Sequence, residues 1–126
     1  MAEAITVTAY RERLALMMID GTPVQEMAFM AFGDGGHDAD LKPMTPLPST
    51  EQLNNELLRK PLAWIANEDP LSATGRGVLE ANELVGARIS EAALLDSDGL
   101  MIGYKTFSPK FKESDERYEV NIKLRF

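Results

Sequence analysis

The chain ends in ten residues of unbroken alternation. Tyr118, Val120, Ile122, Leu124 and Phe126 are apolar, and Arg117, Glu119, Asn121, Lys123 and Arg125 between them are polar. A helix, with its period of 3.6, would spread those apolar side chains around its circumference, whereas a strand gathers them on one face. The segment therefore predicts a strand with one buried and one wet face. A hairpin precedes it. The apolar runs 88–95 and 100–107 are joined by Asp96-Ser97-Asp98-Gly99, and Asp-Gly between apolar runs supplies the positive φ of a tight turn.

The first half of the chain reads differently. Val7, Tyr10, Leu14, Met17 and Met18 fall at helical spacing and predict a helix over 5–19, stopped by Gly21 and Pro23. Residues 24–32 read as a strand apolar on both faces in its second half. Residues 33–48 carry Gly33, Gly35, Gly36, Pro43, Pro46 and Pro48 and cannot be regular structure; they read as one long loop or extended arm. Ser49 with Gln52 fits a capping box, so a second short helix is expected to run to about Arg59 and to end before Pro61. Residues 62–66 and 77–85 are further strand candidates. The expected fold is a single α+β domain over 1–126. The two helices would pack on an antiparallel or mixed sheet of four to five strands, with Leu53, Leu57, Tyr118, Val120, Ile122 and Leu124 in the core.

Charge and composition narrow the function. With 20 acidic and 13 basic residues, the net charge is −7. That disfavours binding to nucleic-acid phosphates or to an anionic membrane surface. No cysteine is present, which removes disulfides, zinc–thiolate sites and thiol catalysis. The N-terminus lacks the basic start and apolar core of a signal peptide, and no apolar run approaches the length of a membrane span. A protein made in and kept in a cytoplasm is expected.

Chemistry-bearing residues are few. Asp34, His37, Asp38 and Asp40 on the glycine-rich loop are the best metal-ligand candidates, but they lack EF-hand spacing and read as a solvated acidic loop. The run Gly33-Asp34-Gly35-Gly36 has neither the Lys-Ser/Thr of a phosphate loop nor the helix of a dinucleotide site after it. A Ser-His-Asp triad would have to run through His37, the single histidine, and no nucleophile-elbow sequence exists. Trp64 and Met17, Met18, Met27 and Met30 read as core packing. The late basic residues Lys105, Lys110, Lys112, Lys123 and Arg125 are interleaved with acids and read as a solvated face. No cofactor and no catalytic residue is expected.

Several blocks, taken together and in order, resemble the phage tail-collar fibre family, the domain at the N-terminus of bacteriophage tail fibre proteins. They are Ala31-Phe32-Gly33-Asp34-Gly35-Gly36, then Thr45-Pro46-Leu47-Pro48, then Leu53-Asn54-Asn55-Glu56-Leu57-Leu58-Arg59-Lys60-Pro61, and finally residues 89–102, ending in an aromatic strand at Phe107. The stretch Ala93-Leu94-Leu95-Asp96 departs from the family's usual Gly-Leu-Phe-Asp. The family's long fibre shaft is also missing from this short chain. The resemblance implies a virion structural protein, made in the bacterial host, that connects a fibre or baseplate in the tail. It implies tail or baseplate partners and a homo-oligomer, a trimer above all. The motif residues it marks for assembly contacts are Phe32, Gly33, Asp34, Gly35, Gly36, Pro43, Pro46, Pro48, Asn55, Glu56 and Arg59. The alternatives are a small phage assembly chaperone or binding protein absent from the mature particle and, further off, a carboxylate-based glycan hydrolase.

Overall fold

A computed structural model describes residues 4–126. In chain order the elements are β1 (Ile5–Thr6), α1 (Thr8–Asp20), β2 (Met27–Gly33), β3 (Glu56–Pro61), β4 (Trp64–Ala66), β5 (Ser72–Leu79), β6 (Arg88–Asp96), β7 (Met101–Phe111) and β8 (Tyr118–Arg125). They form two antiparallel sheets, one of five strands in the order β1-β7-β6-β2-β3 and one of three in the order β4-β5-β8. The expected α+β fold with two helices is therefore wrong: the protein is mostly β, with one helix among the described residues.

The two sheets close on each other. Met30, Phe32, Leu79, Ile89, Leu94, Val120, Ile122 and Leu124 are buried between them. The alternating tail does as its pattern demands, with Val120, Ile122 and Leu124 inside and Glu119, Asn121 and Arg125 exposed. The layers approach closely because β5 carries glycines where bulk would not fit. A Cβ on Gly77 would stand 2.5 Å from the Met30 sulfur. Those same glycines disguise β5 in the sequence, since glycine in a strand reads as a break. The strand expected at 77–85 accordingly lies earlier, and 80–87 is a turn with Leu84 and Gly86 at positive φ.

A second, smaller core lies on the outer face of the five-stranded sheet. Val7 and Leu53 cover Ala31, Ala93, Leu95, Met101 and Tyr104 there. Leu53 reaches this place from an irregular segment rather than a helix. Ser49 and Gln52 open no helix, and residues 56–61 pair with β2 from Phe29↔Pro61 to Gly33↔Glu56. Pairing with β2 supplies the backbone bonds that a helix would have made, and tertiary context overrides the local cap signal. Pro61 is tolerated because β3 is an edge strand. Leu57, expected in the core, is exposed on that edge.

The N-terminal helix is present from Thr8, and Gly21 ends it in the left-handed conformation (φ 78°), its N–H bonded to the Met17 carbonyl at 2.9 Å. Only its beginning is anchored. Val7 is buried, its N–H bonds to the Ile102 carbonyl, and Arg13 donates to the Met101 carbonyl at 2.9 Å. Leu16, Met17, Met18 and Ile19 are exposed, so the apolar stripe expected to pack inward leaves the body of the protein at its second half. Of the methionines assigned to the core, Met30 is fully buried and Met27 half-buried. Trp64 is also exposed, on edge strand β4, with the Arg76 guanidinium 4.6 Å from its ring centre.

Candidate functional site

The residues singled out in the glycine-rich loop converge on one side chain that periodicity does not reveal. Glu91, in the middle of β6, is fully buried. Its Oε2 accepts hydrogen bonds from the backbone N–H groups of Gly35 (3.0 Å) and Asn55 (2.9 Å). Its Oε1 accepts from the N–H of Asn54 (3.0 Å) and from the Tyr104 hydroxyl (2.9 Å). A buried carboxylate costs several kcal/mol unless its charge is met, and here four donors meet it with no cation in contact among the described residues. Burial, and then the adjacent anion, push the Tyr104 hydroxyl well above its ordinary value of 10, so it stays protonated and donating.

The glycines are required by distance. A Cβ on Gly33 would lie 2.4 Å from the Asn55 carbonyl oxygen and 2.6 Å from Glu91 Oε2, and one on Gly36 would meet the Ser90 carbonyl oxygen. Asp34 accepts from the Asn55 side-chain amide at 2.7 Å, and Asn54 donates its amide to the Gly35 carbonyl. Loop 33–36 and segment 54–55 are thus stitched together by both backbone and side chains.

The rest of the loop folds onto its own chain. The Met44 N–H bonds to the Gly36 carbonyl at 2.8 Å, His37 pairs with Pro43, and Thr106 donates to the Met44 carbonyl. Beyond it, the Pro48 carbonyl accepts from the Thr8 N–H at 2.8 Å, and Pro46 is half-buried. Phe32 lies buried between the sheets. Glu56 and Arg59 form a two-point ion pair with each other on β3 (2.9 and 3.1 Å).

The four candidate metal ligands do not converge. Asp38 folds its carboxylate back onto the N–H groups of Asp40 and Lys42, Asp34 is held by Asn55, and His37 faces Ser90. Among the described residues no cluster of three His, Asp or Glu side chains stands close enough to share a metal ion. His37 does find a serine: its Nδ1 is 2.7 Å from Ser90 Oγ. That hydroxyl already accepts the Gly36 N–H at 2.9 Å, and Ser90 is fully buried, so the hydroxyl pins the loop rather than facing a substrate. Among the described residues no helix is long and apolar enough to cross a membrane.

Ser90, Glu91 and Tyr104 escape a reading by periodicity. The available signal is a Ser-Glu pair inside the otherwise apolar run Ile89 to Leu95, since a polar pair in a buried strand must have partners. The chain matches no family model, no curated protein and no solved structure.

Proposed function

We propose that the protein is a non-enzymatic structural component of a bacteriophage or phage-like tail, a fibre-attachment or baseplate-connecting subunit that works as an oligomer, a trimer above all. One observation carries the reading. Three of the sequence blocks that resemble the tail-collar fibre family, 31–36, 53–61 and 89–102, are far apart in the chain and meet around Glu91. A set of motifs held together as one structural unit is the pattern expected of an assembly domain, whose task is to hold a shape.

The exposed end of α1 supports the oligomer. Met18 is 84% and Ile19 80% exposed, with Leu16 half-exposed beside them. Contiguous apolar residues of this kind mark contact surfaces. Two measurements test the reading. Mass spectrometry of purified tail particles from a producing strain should find the chain in the particle, and its presence only in the lysate would establish the assembly-chaperone alternative instead. Light scattering should give three times the monomer mass, and Met18→Asp with Ile19→Asp should return it to the monomer; a wild-type monomer would overturn the oligomer.

A further inference from the structure

Among the described residues, the edge of β8 that faces away from β5 has no strand beside it. In an antiparallel strand the backbone groups of alternate residues point to opposite edges. The Phe126 N–H bonds to the Leu71 carbonyl at 2.7 Å, toward β5, whereas the Asn121 carbonyl accepts from Lys105 Nζ at 3.3 Å, on the other side. Glu119, Asn121, Lys123 and Arg125 therefore turn their N–H and C=O groups to this edge, where, among the described residues, the Asn121 carbonyl is the one group already met, by Lys105. The strand that borders it across the gap, β1, is two residues long and leaves most of β7 uncovered.

Two clefts run along this edge. One of about 680 Å³ lies between β8 and the β1–α1 junction, and one of about 650 Å³ lies between β8 and β7. Lys105 and Asn121 line both, so the clefts adjoin at the Lys105–Asn121 bond, and Glu119 lines the second. The first is lined by Arg11, Lys105, Lys123 and Arg125 and by no carboxylate. That is the reverse of the chain as a whole, in which acids outnumber bases 20 to 13. Asp69 reaches Lys123 (3.1 Å) and Arg125 (4.0 Å) from outside the cleft; among the described residues Arg11 and Lys105 have no ion-pair partner.

We propose that this edge is a docking groove for an extended acidic segment of a partner protein, which adds as a strand to β8. The open N–H and C=O groups recognise a backbone by strand addition, and the four cations select an acidic one. A nucleic acid would use the charges alone and leave the open backbone groups unmatched. A segment as long as β8 spans roughly 25 Å at about 3.3 Å per residue, the run of the paired clefts along the strand.

The test uses the whole chain, isotope-labelled for amide spectroscopy, and two capped peptides with the eight-residue length of β8, one alternating Glu with Val and the other Lys with Val. The Glu peptide should shift the amides of Glu119, Asn121, Lys123 and Arg125 and slow their hydrogen exchange about tenfold, and the Lys peptide should leave them unmoved. Arg11→Glu with Lys105→Glu should weaken binding of the Glu peptide by at least about tenfold. Equal binding of both peptides, shifts confined to another surface, or a short oligothymidylate that displaces the Glu peptide would each overturn the proposal. The two-peptide comparison on the unaltered protein decides the matter even where the double variant misfolds.

Discussion

Two fully buried charges, Glu91 and Lys112, sit in different parts of the molecule and solve the same problem with opposite signs. Glu91 is met by three backbone N–H groups and a phenol. Lys112, just past the end of β7, donates to three backbone carbonyls, those of Glu80 (2.9 Å), Ala81 (3.3 Å) and Glu113 (3.1 Å). Neither has an ion-pair partner among the described residues. The difference lies in what each holds. Glu91 fastens two loops to the middle of a strand, and among the described residues its ligating N–H groups have no other partner. Lys112 joins the 80–81 turn to its own neighbour; Glu80, Ala81 and Glu113 are exposed residues, as Asn54 and Asn55 are at the other site, but of the two charges Glu91 alone also has a buried side-chain partner, Tyr104. Dipoles alone can carry a buried charge in this fold, and its worth depends on how many segments of the chain it ties together.

That contrast sets an order of effects. Glu91→Ala should cost about 3–5 kcal/mol, since it frees four donors on three segments at once, the buried Tyr104 hydroxyl among them. Denaturant midpoints measure this, and a cost under about 1 kcal/mol would end the distinction between the two sites. Lys112→Met keeps the stem and removes the ammonium; about 1–3 kcal/mol is expected, and a cost equal to that of Glu91→Ala would show that the number of segments joined does not matter. Tyr104→Phe removes one bond of four and should cost about 1.5 kcal/mol, with loop 33–36 still in place by amide exchange.

The smallest effect concerns pH. Near Lys112, the Glu83 carboxyl is held below its ordinary 4.5, first by the Glu80 N–H and then by Lys60. A pKa lowered by folding gives stability that is complete above about pH 4.5 and is lost as the pH falls through the lowered value. Glu83→Gln should therefore be less stable than wild type by under about 1 kcal/mol at neutral pH. Its stability should also fall less steeply in acid, as thermal melts across that range would measure.

Parts of this were legible in the residues. The alternation at 117–126 names β8 and its buried face, Asp98-Gly99 names the β6–β7 turn (Gly99 φ 84°), and Gly21 names the end of α1. Each of these is a local pattern with one backbone solution. The short helix at 49–59 was misread because Leu53 and Leu57, four apart, serve different surfaces, one closing the outer core and the other lying exposed on an edge. At the site, Gly33, Gly35, Gly36, Asp34 and Asn55 belong to the quoted motifs, and Glu91 lies in the block 89–102, but its role is not legible there. Its partners are mainly backbone atoms, and a backbone N–H leaves no letter in the sequence. Lys112, expected on a solvated face, is buried instead, and its partners too are backbone atoms.

A latch that grips backbone has a consequence for divergence. The Glu91 carboxylate does not distinguish which side chains sit at 54 and 55; among the described residues those positions are constrained only by the Asn54 amide bond to the Gly35 carbonyl and the Asn55 amide bond to Asp34. Gly33, Gly36, Glu91 and Tyr104 are not free, being set by clearance and by the buried charge. Distant kin of this chain would share a sparse signature, small residues on one loop and a lone acid in an apolar strand, spread too thinly for comparison of whole sequences to register.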